Sequence, residues 1–205
     1  MISNKKIKLM EAWKSNPFAE FGIAEIMDIT GKKSKPWVFN ALKLLEKSSL
    51  LLSKRKGNLD IYRLNLDNPF LLKALQYLES QNNLSFPQLS VIAETMNKVP
   101  VKNYSLLVFG SYAENKQTKE SDLDICFLTE NTQAEKRIKP YFNDVKLNHN
   151  VDIDEQYITF NDFIKMLLRN EENLGKQIFR KHILFYNADI YYQLIKEANK
   201  HGFRP

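Results

Sequence analysis

Apolar positions recur at helical spacing from the start of the chain. Over Met1 to Asn16 they are Ile7, Leu9, Met10 and Trp13. Ile23, Ile26 and Met27 mark a short second helix over Ile23–Ile29, followed by the turn Thr30-Gly31-Lys32-Lys33 with Gly31 as its stop. Ser34 reads as the N-cap of a third helix, Lys35 to about Lys47, with Pro36 in the first turn. Val38, Ala41, Leu42 and Leu45 are its inner stripe. Strands follow at Leu50–Ser53 and Asp60–Leu66 around Lys54-Arg55-Lys56-Gly57-Asn58, where Gly57-Asn58 supplies the residues of a tight hairpin. Pro69 and the Asx residues before it end the hairpin. Phe70–Leu78 then reads as a connecting helix, and about Gln88–Lys98 as another with Leu89, Ile92, Ala93 and Met96 inward.

The pattern changes at Tyr104. Leu106-Leu107-Val108-Phe109 is a buried-strand run, followed at once by Gly110-Ser111. The ten residues Tyr112 to Ser121 lead to Asp122-Leu123-Asp124, which opens a second apolar run, Ile125-Cys126-Phe127-Leu128. Aspartate is disfavoured inside strands, and at i, i+2 both carboxylates share one face. Their repulsion destabilises a fold unless a cation sits between them. The stretch therefore reads as strand, phosphate-gripping turn, second strand and metal-binding carboxylate pair. Asn150–Thr159 repeats the motif, alternating Val151 and Ile153 against Asp152 and Asp154. Thr132–Asn143 predicts a helix interrupted near Pro140. Asp162–Arg169 predicts another, capped by Thr159 or Asn161. Glu171–Phe185 continues helical, and Ala188–Lys200 closes the chain after a turn at Asn187. The aromatic stripe of Phe179, Phe185, Tyr186, Tyr191 and Tyr192 reads as core.

A chain of 205 residues allows one large domain or two small ones. No apolar run approaches the roughly 20 residues that span a bilayer, so no membrane is expected. The single cysteine, Cys126, excludes an internal disulfide, and without an export signal a cytoplasmic location is the expectation. The histidines His149, His182 and His201 lack the paired spacing of a zinc site. Charge is uneven: residues 1–70 hold 13 Lys+Arg against 7 Asp+Glu, which accounts for the whole formal charge of +6. Such asymmetry points to a polyanion-binding module joined to something else.

Helix, helix, turn, helix and β-hairpin over residues 3–66 resembles the winged helix-turn-helix family. The resemblance implies a third helix in the major groove and a wing on the backbone, so DNA or RNA is an expected partner of this module. Lys32, Lys33, Lys35, Asn40 and Lys43, then Lys54, Arg55 and Lys56, occupy those positions. Lysine and arginine suit phosphates, and Asn40 suits a base edge. Such modules also serve as protein-interaction surfaces, so a protein partner is the alternative.

Gly110-Ser111 followed by Asp122-Leu123-Asp124, between two apolar strands and with Ser121 before the pair, resembles the DNA polymerase β-like nucleotidyltransferases in their minimal form. The similarity extends over residues 86–200. It implies Mg²⁺-dependent transfer of NMP from a nucleoside triphosphate to a hydroxyl, with release of pyrophosphate. Two Mg²⁺ ions would clamp the attacking and leaving oxygens. Asp122 and Asp124 would bind metal, and Gly110 and Ser111 would hold the triphosphate. A third carboxylate is expected from the later strand. The family pattern favours Asp152, with Asp154 close behind, and the sequence does not choose between them. Where family members carry Arg or Lys and then Gly after the Gly-Ser turn, this chain has Glu114-Asn115. Lys116 and Lys119 stand nearby to offset Glu114. The resulting fold class is α+β: a winged helix of three helices and a hairpin over residues 1–68, then a small mixed-sheet nucleotidyltransferase domain covered by helices over 69–205. A DNA-binding regulator or antitoxin-like protein that uses the second fold for interaction or sensing is the alternative function.

Overall fold

Leu9 and Ala12, and Met10 and Trp13, stand three residues apart, the period of a 3₁₀ helix. The computed structural model describes residues 3–205, and Met1 and Ile2 of the expected first helix lie outside it. There α1 (Asn4–Ile7) is one turn of α-helix, and Lys8–Trp13 continues as 3₁₀ with those four side chains buried. The Trp13 indole N–H donates to the Ala19 carbonyl at 2.9 Å, which turns the chain into β1 (Phe21–Gly22). Helix α2 (Ile23–Thr30) ends at Gly31, whose φ of 65° is the left-handed stop expected there. Helix α3 (Lys35–Lys47) buries Val38, Ala41, Leu42 and Leu45 as the spacing predicts.

The hairpin is longer than expected. β2 (Leu51–Lys56) and β3 (Leu59–Leu64) pair antiparallel up to Lys56 opposite Leu59, so Lys54, Arg55 and Lys56 are strand residues and only Gly57-Asn58 turns. β1 pairs with β3 on its other side, giving sheet order β1-β3-β2. Two residues are too few to register as a periodic strand, which is why the sequence pattern does not show β1.

Helix α4 (Pro69–Asn83) runs further than Phe70–Leu78, and the chain divides into two compact units within it, between Leu78 and Glu79. The second unit continues with α5 (Leu89–Lys98), β4 (Tyr104–Val108), α6 (Gly110–Glu114), β5 (Leu123–Thr129) and α7 (Thr132–Asn148). It closes with β6 (Ile153–Thr159), α8 (Phe160–Leu168), α9 (Leu174–Arg180), β7 (Ile183–Tyr186) and α10 (Ala188–Lys200). The sheet has order β6-β5-β4-β7 and is mixed: β5 and β6 are parallel, and β4 is antiparallel to β5 and β7.

Three expectations change here. Pro140 does not interrupt α7, because Ile138, Phe142 and Val145 pin the helix to the core on both sides of it. Ile183–Tyr186 is a strand; this β-branched and aromatic run completes the sheet beside β4. In α5, Val91, Ile92 and Thr95 are the buried positions, while Ala93 is exposed.

One sheet face buries Leu106, Val108, Leu123, Ile125 and Phe127 against α5 and α7. The opposite face carries Leu107, Cys126, Leu128 and Leu184, all buried, on the side packed by α8 and α10. Of the aromatic stripe, Phe179, Tyr191 and Tyr192 are buried, while Phe185 and Tyr186 are half-buried against the main core. Among the described residues no helix is long and apolar enough to cross a membrane.

Candidate active site

β4 ends where β5 begins, because the two are antiparallel with Val108 opposite Ile125. The Phe109 N–H donates to the Asp124 carbonyl at 3.0 Å and extends the pairing one residue. β6 runs parallel to β5 with Ile153 opposite Leu123 and Asp154 opposite Asp124. The Leu123 N–H donates to the Asp152 carbonyl at 2.7 Å. The end of β4 and the starts of β5 and β6 therefore meet at one edge of the sheet, and that edge carries all four candidate aspartates.

Gly110 is required there twice over. Its φ is 62°, and a Cβ on it would stand 2.0 Å from Asp124 Oδ2 and 2.7 Å from Asp124 Cγ. The turn expected at Gly110-Ser111 is the one-turn helix α6, and Asn115 ends it at φ 56°, where family members carry glycine. The backbone N–H of Ser111 donates to the Asp124 carboxylate. Asp124 is half-buried, and its carboxyl is held above its ordinary value. The causes are burial first, then the negative charge of Asp154, then that of Asp122.

Among the four aspartates the structure brings together Asp122, Asp124 and Asp154 electrostatically. Asp152 and Asp154 are both exposed, and Asp152 also lines a cleft of about 590 Å³ with Gln88, Gln117, Thr118, Ser121 and Asn150. Asp152 directly precedes β6 as Asp122 directly precedes β5, and of the two later aspartates Asp154, opposite Asp124 in the register, is the one whose charge raises Asp124. Among the described residues no three His, Cys, Asp or Glu side chains stand close enough to hold a metal ion as they are. The donor set nonetheless suits one: three carboxylates are hard oxygen ligands of the kind Mg²⁺ takes, and the repulsion that adds to burial in raising Asp124 is what a bound cation relieves.

Sequence reasoning passed over Gln156. Its Nε2 donates to both Asp154 oxygens, at 3.3 and 3.2 Å. The signal was the strand period, since Gln156 follows Asp154 by two residues on the same face. Glu114, in the place of a family cation, is neutralised locally: Lys116 Nζ lies 2.7 Å away, and Lys181 adds a second, more distant positive charge. Lys119 does not share in this; it lines the Asp152 cleft.

In the first unit, Lys43 is committed to Glu46 at 3.1 Å and Asp60 at 3.6 Å, and Lys54 to Glu20 at 2.6 Å. Arg55 donates to the Gly57 carbonyl. Lys33, Lys35, Asn40 and Lys56 are exposed, and Lys32 is half-buried.

Residues 92–191 match the family model described as polymerase beta, nucleotidyltransferase. No curated protein matches the chain. The nucleotidyltransferase match begins in α5 and ends in α10, so it takes in Gly110, Ser111 and all four aspartates. It supports nucleotidyl transfer as the reaction type, with a nucleoside triphosphate as substrate.

Proposed function

We propose that the chain is a Mg²⁺-dependent nucleotidyltransferase that moves NMP from NTP to an acceptor hydroxyl, with Asp122, Asp124 and Asp154 as its carboxylates. The observation that carries this reading is the single sheet edge where Asp124 sits against Gly110 and is raised by burial and then by the charges of Asp154 and Asp122. Bound Mg²⁺ would supply charge neutralisation at the phosphates and the oxygens that enter and leave. Asp124, on β5, and Asp122, just before it, would hold it. Asp154, oriented by Gln156, faces the acceptor and takes the proton from its hydroxyl. The hydroxyl oxygen forms a bond to the α-phosphorus. The bond from that phosphorus to the bridging oxygen breaks, and its electron pair leaves with pyrophosphate. Gly110 leaves room for the triphosphate, and the Ser111 hydroxyl contacts its outer phosphates.

The direct test incubates the chain with each α-labelled NTP and Mg²⁺, with Asp122→Ala plus Asp124→Ala as control. Mg²⁺-dependent label on the chain or on an added hydroxyl acceptor, at least ~100-fold lower in the double variant, is expected. A wild-type chain that neither binds NTP with Mg²⁺ nor labels anything would contradict the proposal.

A further inference from the structure

Residues 1–70 carry an excess of six positive charges, yet one surface of the first unit departs from that balance. A groove of about 850 Å³ lies between α2, α3 and the β2–β3 hairpin. Its apolar wall is Ile23, Met27, Phe39, Leu59 and Ile61. Phe39 is 41% exposed and Leu59 65%, so two large apolar side chains face water in one place. The charged groups in the lining are Glu25, Asp28 and Asp60 against Lys35 and Arg55, so the groove is net negative in a basic unit. Asp60 is locally balanced, with Lys43 at 3.6 Å and Arg55 opposite it in the strand register. The remaining acids, Glu25 and Asp28, both stand on α2.

A phosphate backbone gains its affinity from released counterions at clustered cations. An apolar trough walled by two carboxylates offers the reverse. We propose that this groove docks a short amphipathic segment of a protein partner. Its apolar side chains lie against Phe39 and Leu59, and its basic side chains run along Glu25 and Asp28. This is the helix-in-groove mode of recognition, with charge complementarity setting the orientation.

The test uses the full chain and two fluorescent model peptides, an amphipathic Leu/Lys helix and its Leu/Glu counterpart, read by anisotropy. The Leu/Lys peptide should bind in a salt-sensitive way and the Leu/Glu peptide at least ~10-fold more weakly. Phe39→Ser with Leu59→Ser should weaken Leu/Lys binding about 10-fold or more. Glu25→Gln with Asp28→Asn should weaken it several-fold and flatten the salt dependence, while the glutamine keeps the bond to the Gly22 N–H. Equal binding by wild type and both variants would overturn the proposal, as would equal binding of the two peptides. So would a self-association that Phe39→Ser with Leu59→Ser abolishes, which assigns the groove to a second copy. Duplex DNA binding lost in that same variant would assign it to nucleic acid.

Discussion

Gly110 and Asp124 form an interlock whose two costs can be separated. A left-handed backbone costs a non-glycine residue about 1–2 kcal/mol. The contact of the added Cβ with the Asp124 carboxyl, at 2.0 Å, comes on top of that. Gly110→Ala should therefore destabilise the chain by about 2–4 kcal/mol in denaturant unfolding. In an Asp124→Ala background the nearest remaining atom is the Asp124 Cβ at 3.3 Å, so only the backbone cost should persist. The two substitutions should couple by about 1 kcal/mol or more. Additive effects would show that the carboxylate yields freely and that Gly110 is kept for its φ alone.

Among elements, α5 and the end of α7 are joined by one carboxylate. Glu94 accepts from Lys98 Nζ at 2.8 Å and Asn148 Nδ2 at 2.6 Å, and meets His149 Nε2 at 2.7 Å. These partners lower its carboxyl to about 2. A folded value below the unfolded one gives stability that is present above the ordinary carboxylate range and lost as pH falls towards about 2. Glu94→Gln should thus lower the melting temperature at neutral pH, and the gap from wild type should close as the medium is acidified. A gap of the same size at both ends would refute this linkage. His149 takes its place here as a helix-end partner.

Elements with strong periodicity were legible in the sequence. Val38, Ala41, Leu42 and Leu45 mark the buried stripe of α3, and Gly57-Asn58 marks the hairpin turn. The edge that joins Gly110 to Asp122 and Asp124 was legible because glycine at a strand end and paired aspartates at a strand start both defy ordinary strand chemistry. Asp152 and Asp154 were not separable, because their difference depends on the register of β6 with β5. Ile183–Tyr186 escaped because four apolar residues fit a helix or a strand equally, and only the free edge of β4 decides. Pro140 misled because a local helix-breaking cost was outweighed by packing at Ile138, Phe142 and Val145.

At the scale of the whole molecule, each unit has its own chemistry. The first holds the positive excess together with an acidic apolar groove. The second, Glu79–Arg204, is close to balance, with 16 Lys+Arg against 17 Asp+Glu, and carries Asp122, Asp124, Asp152 and Asp154 at one sheet edge. A balanced domain adds little long-range attraction for a triphosphate, so the proposed function draws its nucleotide affinity from metal held by Asp122, Asp124 and Asp154. Calorimetric titration of ATP and the other NTPs into the chain, with Mg²⁺ and then with EDTA, tests this most directly. Binding should require Mg²⁺ and fall about 10-fold or more in Asp124→Asn and in Asp154→Asn, with Asp152→Asn within about 3-fold of wild type. Binding that ignores Mg²⁺, or that Asp152→Asn abolishes while Asp154→Asn leaves it intact, would contradict the carboxylate set proposed for this edge.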